Sequence, residues 1–248
     1  MPFIFSRQKL REIYSPRLLW HYGYLQRVYA NNWVQKELMS HVVPNSCVLD
    51  FGCGESPQKK LIEDQLGNYF GIDIKETSFG VIFDGTRAPF EGGIFDVVLL
   101  SEVLYAIPDS RNAISECHRL LRVGGTLLVS ANFIYPLNSN SGQVQSEFGG
   151  DYFRFSEAGI REILNPFFGS ISTSQLGGLG GIFLMPQYFY RNHLMRNPNK
   201  SVKCLATLFA PIFMMSSVLL NLLGLFINRL DTSGLFATDI VAIATKET

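Results

Sequence analysis

A short apolar run, residues 47–51 (CVLDF), leads directly into a glycine-rich turn that is flanked by carboxylates. Asp50 precedes the turn, Gly52 and Gly54 lie in it, and Asp73 follows 19 residues after Gly54 at the end of the next apolar run. Glycine lets the backbone turn tightly and pass close to a ligand. A carboxylate at the end of the following strand can accept hydrogen bonds from both hydroxyls of a ribose. This spacing predicts a nucleoside-binding site.

A third carboxylate, Asp84, ends another short apolar run and is followed by Gly85, so it could accept a hydrogen bond from an adenine amino group. A dinucleotide-binding turn would carry a small residue where this chain has Pro57. An acidic rim favours a cationic adenosine, bearing a sulfonium and an ammonium, over NAD with its two phosphates. The rim comprises Asp50, Glu55, Asp73 and Asp84. A nucleotide-dependent oxidoreductase is therefore the less favoured alternative.

Alternating strands and helices must position these residues. The predicted strands are almost continuously apolar, which is typical of a parallel sheet covered on both faces, and such sheets bind ligands at the carboxyl ends of their strands. The predicted strands are 47–51, 68–74, 81–84, 95–100, 126–131, 170–176 and 238–245. The predicted helices run from Pro57 to Gly67 with Ser56 as cap, from Asp109 to Gly124, and from Ser156 to Phe167.

Several ordered motifs resemble those of a known family. The segments VLDFGCG, GIDI, FDVVLLSEVLYAI and ECHRLLRVGGTLLVS are similar to the successive motifs of class I S-adenosylmethionine-dependent methyltransferases of the type 11 domain group. The resemblance covers about residues 45–176 and the last strand. It implies a Rossmann-like, doubly wound α/β sheet, mostly parallel with an antiparallel last strand, and S-adenosylmethionine as cofactor. It does not indicate the methyl acceptor.

The resemblance also implies roles for individual residues. Gly52, Cys53 and Gly54 would pass beside the methionine part of the cofactor, and Asp50 would hold its amino end through water. The remaining cofactor contacts are implied for Asp73 at the ribose, Ile74 on the adenine, Asp84 and Gly85 at the adenine edge, and Ser101 near the sulfonium.

The candidate catalytic residues are Glu102, Tyr105 and His21. Glu102 is predicted to face the acceptor at a strand's carboxyl end, and its alternative role is a cap or an ion pair. Tyr105 could equally pack over the cofactor. The chain has Tyr105-Ala106 where many family members have Glu-His, which affects the expected acceptor contacts. Asp151 is expected to pair with Arg154 rather than to contact substrate.

We predict three parts: an N-terminal helical cap, 1–44; the methyltransferase domain, 45–176 with 237–248; and an apolar helical insertion, 177–236. The insertion contains 25 uncharged residues, 204–228, after a basic stretch, 191–203. Three interpretations stay open: attachment in the plane of a membrane, burial over the sheet or in a homodimer interface, and a spanning helix. The basic stretch favours the first, because lysine and arginine attract anionic lipid.

Composition narrows the function further. The 248 residues carry 21 basic and 21 acidic side chains, and this zero balance argues against nucleic-acid binding. The four cysteines have no C-x-x-C spacing and no accompanying histidine cluster, so we expect no metal site and a cytoplasmic protein. The basic stretch 191–203 adds the expectation of peripheral contact at the inner membrane face. The favoured function is O-methylation of a small-molecule, glycan or lipid-linked acceptor. The alternative is a catalytically inactive methyltransferase-like module for binding or membrane recruitment.

Overall fold

The computed structural model describes most of the chain. The described residues are 19, 21, 24–55, 57–65, 67–74, 76–77, 80–83, 87–136, 145–146, 149–185, 194, 197 and 199–247. They divide into two compact units. One unit comprises the described residues up to Asn31 together with Gly177–Thr238, and the other comprises Asn32–Leu176 together with the described part of Asp239–Thr248. The boundary near the N-terminus falls inside a helix, between Asn31 and Asn32.

The second unit is built on a seven-stranded sheet. The strands are β1 Cys47–Phe51, β2 Asn68–Asp73, β3 Gly80–Ile82, β4 Phe95–Ser101, β5 Leu121–Asn132, β8 Ser170–Leu176 and β9 Asp239–Thr245, and they lie in the order β3-β2-β1-β4-β5-β9-β8. A small separate hairpin pairs β6 Gln145–Ser146 with β7 Gly149–Gly150. Strands β1 to β5 of the large sheet pair in parallel, whereas β9 is antiparallel to both β5 and β8. The predicted Rossmann-like sheet with an antiparallel last strand is confirmed.

Helices connect these strands. Their bounds are α1 Tyr24–His41, α2 Lys59–Asp64, α3 Ser110–Leu120, α4 Glu157–Leu164, a helical segment α5 at 179–185, α6 Lys200–Leu208 and α7 Ala210–Leu230. The predicted cap Ser156 is present, and Asp109, near which a helix is predicted to begin, caps its helix as well. The Asp109 carboxylate accepts from the Asn112 N–H at 2.9 Å, and the Ser156 hydroxyl accepts from the Gly159 N–H at 3.2 Å.

Some predicted boundaries were wrong. Helix α3 ends at Leu120 instead of Gly124, because Leu121 is already extended and pairs with Phe95 of β4. Lys246 closes that helix end, since its ammonium donates to the carbonyl oxygens of His118 and Leu121 at 2.9 Å each. Helix α2 is shorter than predicted, and Gln58 stands at its N-cap without a side-chain capping bond. The predicted cap Ser56 lies outside the described residues.

The core of the sheet unit includes one face of α1. Val34 and Leu38 of α1 and Val42, directly after the helix, follow the i, i+4, i+8 spacing of a helix face, and they are buried against the strands. Their buried partners are Val48 of β1, Ile62 of α2, Val97 and Leu99 of β4, and Leu128 of β5. Burying such side chains is worth roughly 1.5–3 kcal/mol each, so this cluster holds the sheet whose strand ends carry the candidate site.

Candidate functional site

The candidate site lies at the carboxyl ends of the parallel strands, where the turn after β1 folds over the end of β2. The N–H groups of Gly52 and Cys53 both donate to the carbonyl oxygen of Ile72, at 2.8 and 3.0 Å. This shared acceptor continues the β1–β2 pairing, in which Phe51 is the register partner of Ile72. The turn therefore begins in a position fixed by the sheet.

Glycine occupies the two positions of the turn for different physical reasons. Gly52 has φ +79°, and a Cβ at this position would lie 2.3 Å from Cγ2 of Val103, so a larger residue has no room. Gly54 has φ +50°, but a Cβ there would meet nothing within 4 Å. Gly52 thus allows the turn to pack against the segment after β4, whereas Gly54 leaves open space on the side where a ligand could approach.

Asp73, at the end of β2, is bonded directly to the glycine turn. Its Oδ2 accepts a hydrogen bond from the N–H of Gly54 at 2.9 Å. A carboxylate has about four lone-pair directions, and this bond uses one of them while fixing the side chain. The next residue, Ile74, has 51% of its surface exposed, so its side chain is available to a ligand beside the turn.

Asp50 is buried under the same turn. Its Oδ2 accepts a hydrogen bond from the hydroxyl of Tyr69 at 3.0 Å. Burial raises the pKa of Asp50 to about 7; the Tyr69 hydrogen bond acts in the opposite direction, and the charge of Asp73 adds to the increase. The carboxyl is therefore near its titration point at neutral pH, and a cation beside it would favour the ionised form.

Cys53 is buried, and its side chain points to the β2–β3 side of the turn. Its Sγ lies 3.8 Å from both the Gly54 carbonyl oxygen and the Thr77 hydroxyl. Glycine at two nearby strand positions makes room for this sulfur, because a Cβ at Gly71 or Gly80 would approach it to 2.9 or 2.7 Å. At its predicted contact with the cofactor, Cys53 therefore presents its backbone rather than its thiol.

The end of β4 is held by β5. The hydroxyls of Ser101 and Ser130 are 3.2 Å apart, and the N–H of Glu102 donates to the carbonyl oxygen of Ser130 at 2.9 Å. Glu102 has φ +54°, a left-handed conformation that costs a residue with a side chain about 1–3 kcal/mol. The parallel β4–β5 pairing imposes this turn, so the Glu102 side chain leaves the strand end in a direction fixed by the sheet.

Tyr105 lies in a short 3₁₀ turn, Leu104–Ala106, directly after β4. Its carbonyl oxygen accepts from the N–H groups of Tyr152 and Phe153, at 2.9 and 3.3 Å. The Arg154 guanidinium lies 5.9 Å from the centre of the Tyr105 ring. Thus Tyr105 is joined to the segment that precedes α4, through both its backbone and its ring.

Arg154 pairs with Asp151, as predicted. Both guanidinium Nη atoms donate to the Asp151 carboxylate, and Nη2 makes its contact at 2.8 Å. Arg154 also donates from Nε to the Tyr135 carbonyl oxygen at 3.1 Å and from Nη2 to that of Pro136 at 2.9 Å. This bidentate clamp joins the segment before α4 to the chain that follows β5.

The structure brings together most, but not all, of the predicted site residues. His21 belongs to the other unit, where burial and the charge of Arg27 lower its pKa to about 4, so its ring is neutral at pH 7. Asp84 and Gly85 lie outside the described residues. Within the described ranges there is no group of three or more His, Cys, Asp or Glu side chains arranged to hold a metal ion. The roles of the individual residues stay predictions.

Three residues of the site were missed in the sequence: Tyr69, Val103 and Ser130. Tyr69 bonds Asp50 from 19 residues away, Val103 contacts the Gly52 position, and Ser130 supports Ser101 and Glu102. Alternation along β2 and β5 could have placed Tyr69 and Ser130 on a sheet face. Nothing in the sequence indicates which strand-end residue meets Gly52.

Known proteins resemble this chain in sequence and in fold. Residues 49–129 match a family model described as a methyltransferase domain. The ubiquinone biosynthesis O-methyltransferase of Pseudomonas aeruginosa (strain UCBPP-PA14) is 32% identical over 99 residues, which is 34% of this chain and 43% of that protein. The match therefore spans less than half the length of this curated relative.

Two solved structures share the fold at low identity. The Haemonchus contortus phosphoethanolamine N-methyltransferase 2, in complex with S-adenosyl-L-methionine, has a TM-score of 0.54 at 15% identity and covers 99% of this chain and 61% of that chain. An S-adenosylmethionine-dependent methyltransferase from Archaeoglobus fulgidus has a TM-score of 0.53 at 16% identity, covering 87% and 94%. The family match identifies residues 49–129 as part of a methyltransferase domain, in agreement with the class I S-adenosylmethionine-dependent resemblance, and the two solved structures share its Rossmann-like fold.

Proposed function

We propose that this protein is an S-adenosylmethionine-dependent methyltransferase that methylates an oxygen of a small-molecule, glycan or lipid-linked acceptor. The observation that carries the proposal is the turn in which Gly54 is open on one side and bonded to Asp73. This turn lies inside the stretch that matches the methyltransferase domain, 49–129.

The residues present fit this cofactor. Asp73 would accept from the ribose hydroxyls, and the exposed Ile74 would pack on the adenine. The backbone of Gly52, Cys53 and Gly54 would run beside the methionine part. A buried carboxyl that titrates near pH 7, Asp50, suits a cationic ammonium held through water, and Ser101 would lie near the sulfonium. Asp84 and Gly85 keep their predicted place at the adenine edge.

S-adenosylmethionine supplies a methyl group on a positively charged sulfur, which an acceptor oxygen displaces in line. Most of the acceleration of such a reaction can come from holding the acceptor in line with the methyl group. A hydroxyl acceptor must also lose its proton, which requires a base. We assign this role to Glu102, whose direction the β4–β5 pairing fixes, and we place Tyr105 in the wall around the acceptor. His21 stays a predicted catalytic residue, and its pKa of about 4 makes it a weak base at neutral pH.

Oxygen is the favoured acceptor atom because the curated relative is an O-methyltransferase. The proposed location is the cytoplasm, with peripheral contact at the inner membrane face. All four cysteines carry free thiols, which suits a reducing compartment. A lipid-linked acceptor would be reached most directly from a membrane surface.

Calorimetry with three ligands tests the cofactor assignment. We expect binding of S-adenosylmethionine and S-adenosylhomocysteine and no binding of NAD. Binding of NAD alone would move the protein to the oxidoreductase alternative.

Turnover is tested by release of S-adenosylhomocysteine with hydroxyl-bearing small aromatic, glycan and lipid-linked acceptors. Glu102→Gln should lower turnover without changing cofactor affinity, while the matched control Glu91→Gln, at an exposed position, should change neither. Cofactor binding without turnover on any acceptor would favour the inactive-module alternative.

A further inference from the structure

Helix α7 exposes its apolar side and buries its polar side. Ser217 and Asn221 are each only 2% exposed, whereas Met215 and Leu219 are 74% and 70% exposed. The exposed large apolar side chains on α6, α7 and the residue between them are Leu205, Leu208, Phe209, Ile212, Met215, Leu219, Leu222, Leu223, Phe226 and Leu230. Ten exposed large apolar side chains within residues 205–230 exceed the singly scattered ones of an ordinary protein surface, so they indicate a binding surface.

The polar side of α7, which includes Asn221 and Asn228, is held within its own unit by specific hydrogen bonds. The Asn221 Nδ2 donates to the carbonyl oxygens of Leu19 and His21, at 2.6 and 2.9 Å. The Asn228 Nδ2 donates to the Tyr29 hydroxyl at 2.9 Å, and its Oδ1 accepts from the Gly180 N–H at 2.6 Å. Rotating the apolar face inward would break these bonds, so they fix which face of the helix points outward.

Close packing reinforces this orientation at Gly224. A Cβ on Gly224 would lie 2.3 Å from Cδ1 of Leu25 and 2.7 Å from Cδ1 of Leu184. A Cβ on Gly180 would lie 2.1 Å from the Gly224 carbonyl oxygen, so α5 and α7 approach each other closely along these two glycines. The inward face of α7 is therefore already occupied by protein.

The chain topology opposes a spanning helix. Helix α7 has 21 residues, and at about 1.5 Å per residue it could cross a hydrocarbon core of about 30 Å. However, the insertion leaves the sheet after Leu176 and returns at Asp239, and these two residues are register partners in β8 and β9. Both ends therefore lie on the same side, which requires two crossings. The described residues contain one helix long and apolar enough to cross, within Pro211–Leu230.

The charges around this surface distinguish a lipid bilayer from a second copy of the chain. In the sequence from 200 to 230 the charged residues are Lys200, Lys203 and Arg229, and there is no acid. Of these, Lys200 and Arg229 are exposed in the structure. In a twofold dimer the same face meets itself, so every charge on the two copies would be positive. Anionic lipid headgroups complement these charges. The nearest following acid, Asp231, accepts a hydrogen bond from the Leu179 N–H at 3.1 Å.

We infer that the exposed apolar face of α6 and α7 binds an anionic bilayer in the plane of its surface, while the Asn221 and Asn228 bonds keep the helix from inserting across it. The apolar side chains would lie at the boundary of headgroups and acyl chains. The inference deepens the peripheral location in the proposed function and does not depend on methyl transfer.

Flotation of the full-length protein with phosphatidylcholine vesicles, with and without phosphatidylglycerol, tests this inference. We expect binding to the vesicles that contain phosphatidylglycerol, and a decrease of about tenfold or more with the double variant Met215→Gln/Leu219→Gln. The matched control Met39→Gln/Val123→Gln, at two similarly exposed apolar positions outside the insertion, should bind like the unmodified protein. Leu222→Gln/Phe226→Gln is a second variant of the same face and should behave like the first.

Four outcomes would overturn the inference. They are absence of vesicle binding, equal binding by the α7 variants, retention of the protein in the bilayer after alkaline carbonate treatment, and a soluble dimer that Met215→Gln/Leu219→Gln converts to monomer. Cofactor affinity measured on the same preparations separates this result from the proposed activity, because vesicle binding needs neither cofactor nor acceptor. Thermal unfolding of each variant confirms that it is folded.

Discussion

Asp73 and Gly54 are joined by a hydrogen bond of 2.9 Å, in which the glycine N–H donates to the carboxylate at the end of the next strand. The bond links the turn after β1 to the end of β2, and it fixes the carboxylate beside the open side of the turn. A residue in this position has two separable roles, since it holds the turn and presents a charged acceptor to a ligand.

For Asp73 we predict that Asp73→Ala weakens S-adenosylmethionine binding by about tenfold to a hundredfold, because hydrogen bonds to charged groups are worth roughly 1.5–3 kcal/mol. Isothermal titration calorimetry measures the effect. Asp64→Ala, at an exposed residue in α2, is the matched control and should keep the unmodified affinity. An unchanged affinity in Asp73→Ala would remove this residue from the site.

The contact between Gly52 and Val103 predicts that substitutions at these two positions have non-additive effects on stability. Gly52→Ala should lower the free energy of unfolding by about 3 kcal/mol, because the new Cβ clashes with Val103 and φ is +79°. Adding Val103→Ala should recover about 1 kcal/mol of that loss, which a double-mutant cycle from urea unfolding detects. Gly54→Ala, with positive φ but no clash, should cost only about 1 kcal/mol. Equal losses at the two glycines would contradict the packing explanation.

Asp50 predicts a particular dependence of stability on pH. Its folded pKa of about 7 lies above the ordinary value of 3.8, so between these values the folded state holds a proton that the unfolded state has lost. The contribution is therefore largest below about pH 4, decreases as pH rises, and is lost above about pH 7. Urea unfolding of the unmodified protein and of Asp50→Asn, from about pH 5 to about pH 8, measures it. The stability advantage of the unmodified protein over the variant should shrink as pH rises, and a constant difference would show that Asp50 titrates normally.

Arg154 is predicted to hold the segment beside Tyr105. Arg154→Ala should lower the free energy of unfolding by about 3 kcal/mol, since it leaves the Asp151 carboxylate and the Tyr135 and Pro136 carbonyl oxygens without this donor. Arg154→Lys keeps the charge but not the fork of donors, so it should recover only part of the loss. Cofactor affinity should change little in either variant. A large loss of cofactor affinity would mean that this clamp also supports the glycine turn.

For helix α7, we predict that replacing a side chain by alanine affects stability differently on the two faces. Asn221→Ala should cost about 1–3 kcal/mol, because the half-buried carbonyl oxygens of Leu19 and His21 lose their donor. Leu219→Ala, two residues away on the exposed face, should stay within about 0.5 kcal/mol of the unmodified protein. Chemical denaturation of the two variants provides the comparison. A reversed order of the two effects would mean that the apolar face is the buried one.

Much of the fold could be predicted because the signals are local. Strand β1 occupies its predicted apolar run and strand β8 its predicted β-rich segment. Helix α3 begins next to Asp109, as predicted, and α4 follows the predicted cap Ser156. The end of α3 could not be predicted, because Leu121 leaves the helix to pair with Phe95, a partner 26 residues earlier. The secondary-structure propensities of the residues around Leu121 carry no information about that pairing.

The sequence by itself determined the sheet type, the order of its motifs and the two glycines and Asp73 of the candidate site, because strand burial and turn conformation depend on neighbouring residues. Only the tertiary structure decided that Tyr69 bonds Asp50 and that Val103 excludes a side chain at Gly52. It also decided the orientation of α7. In a helix whose only charged residue is Arg229, near its end, periodicity identifies two faces but not which one points inward. That depends on the hydrogen-bond partners that distant segments such as Leu19 and His21 bring to Asn221.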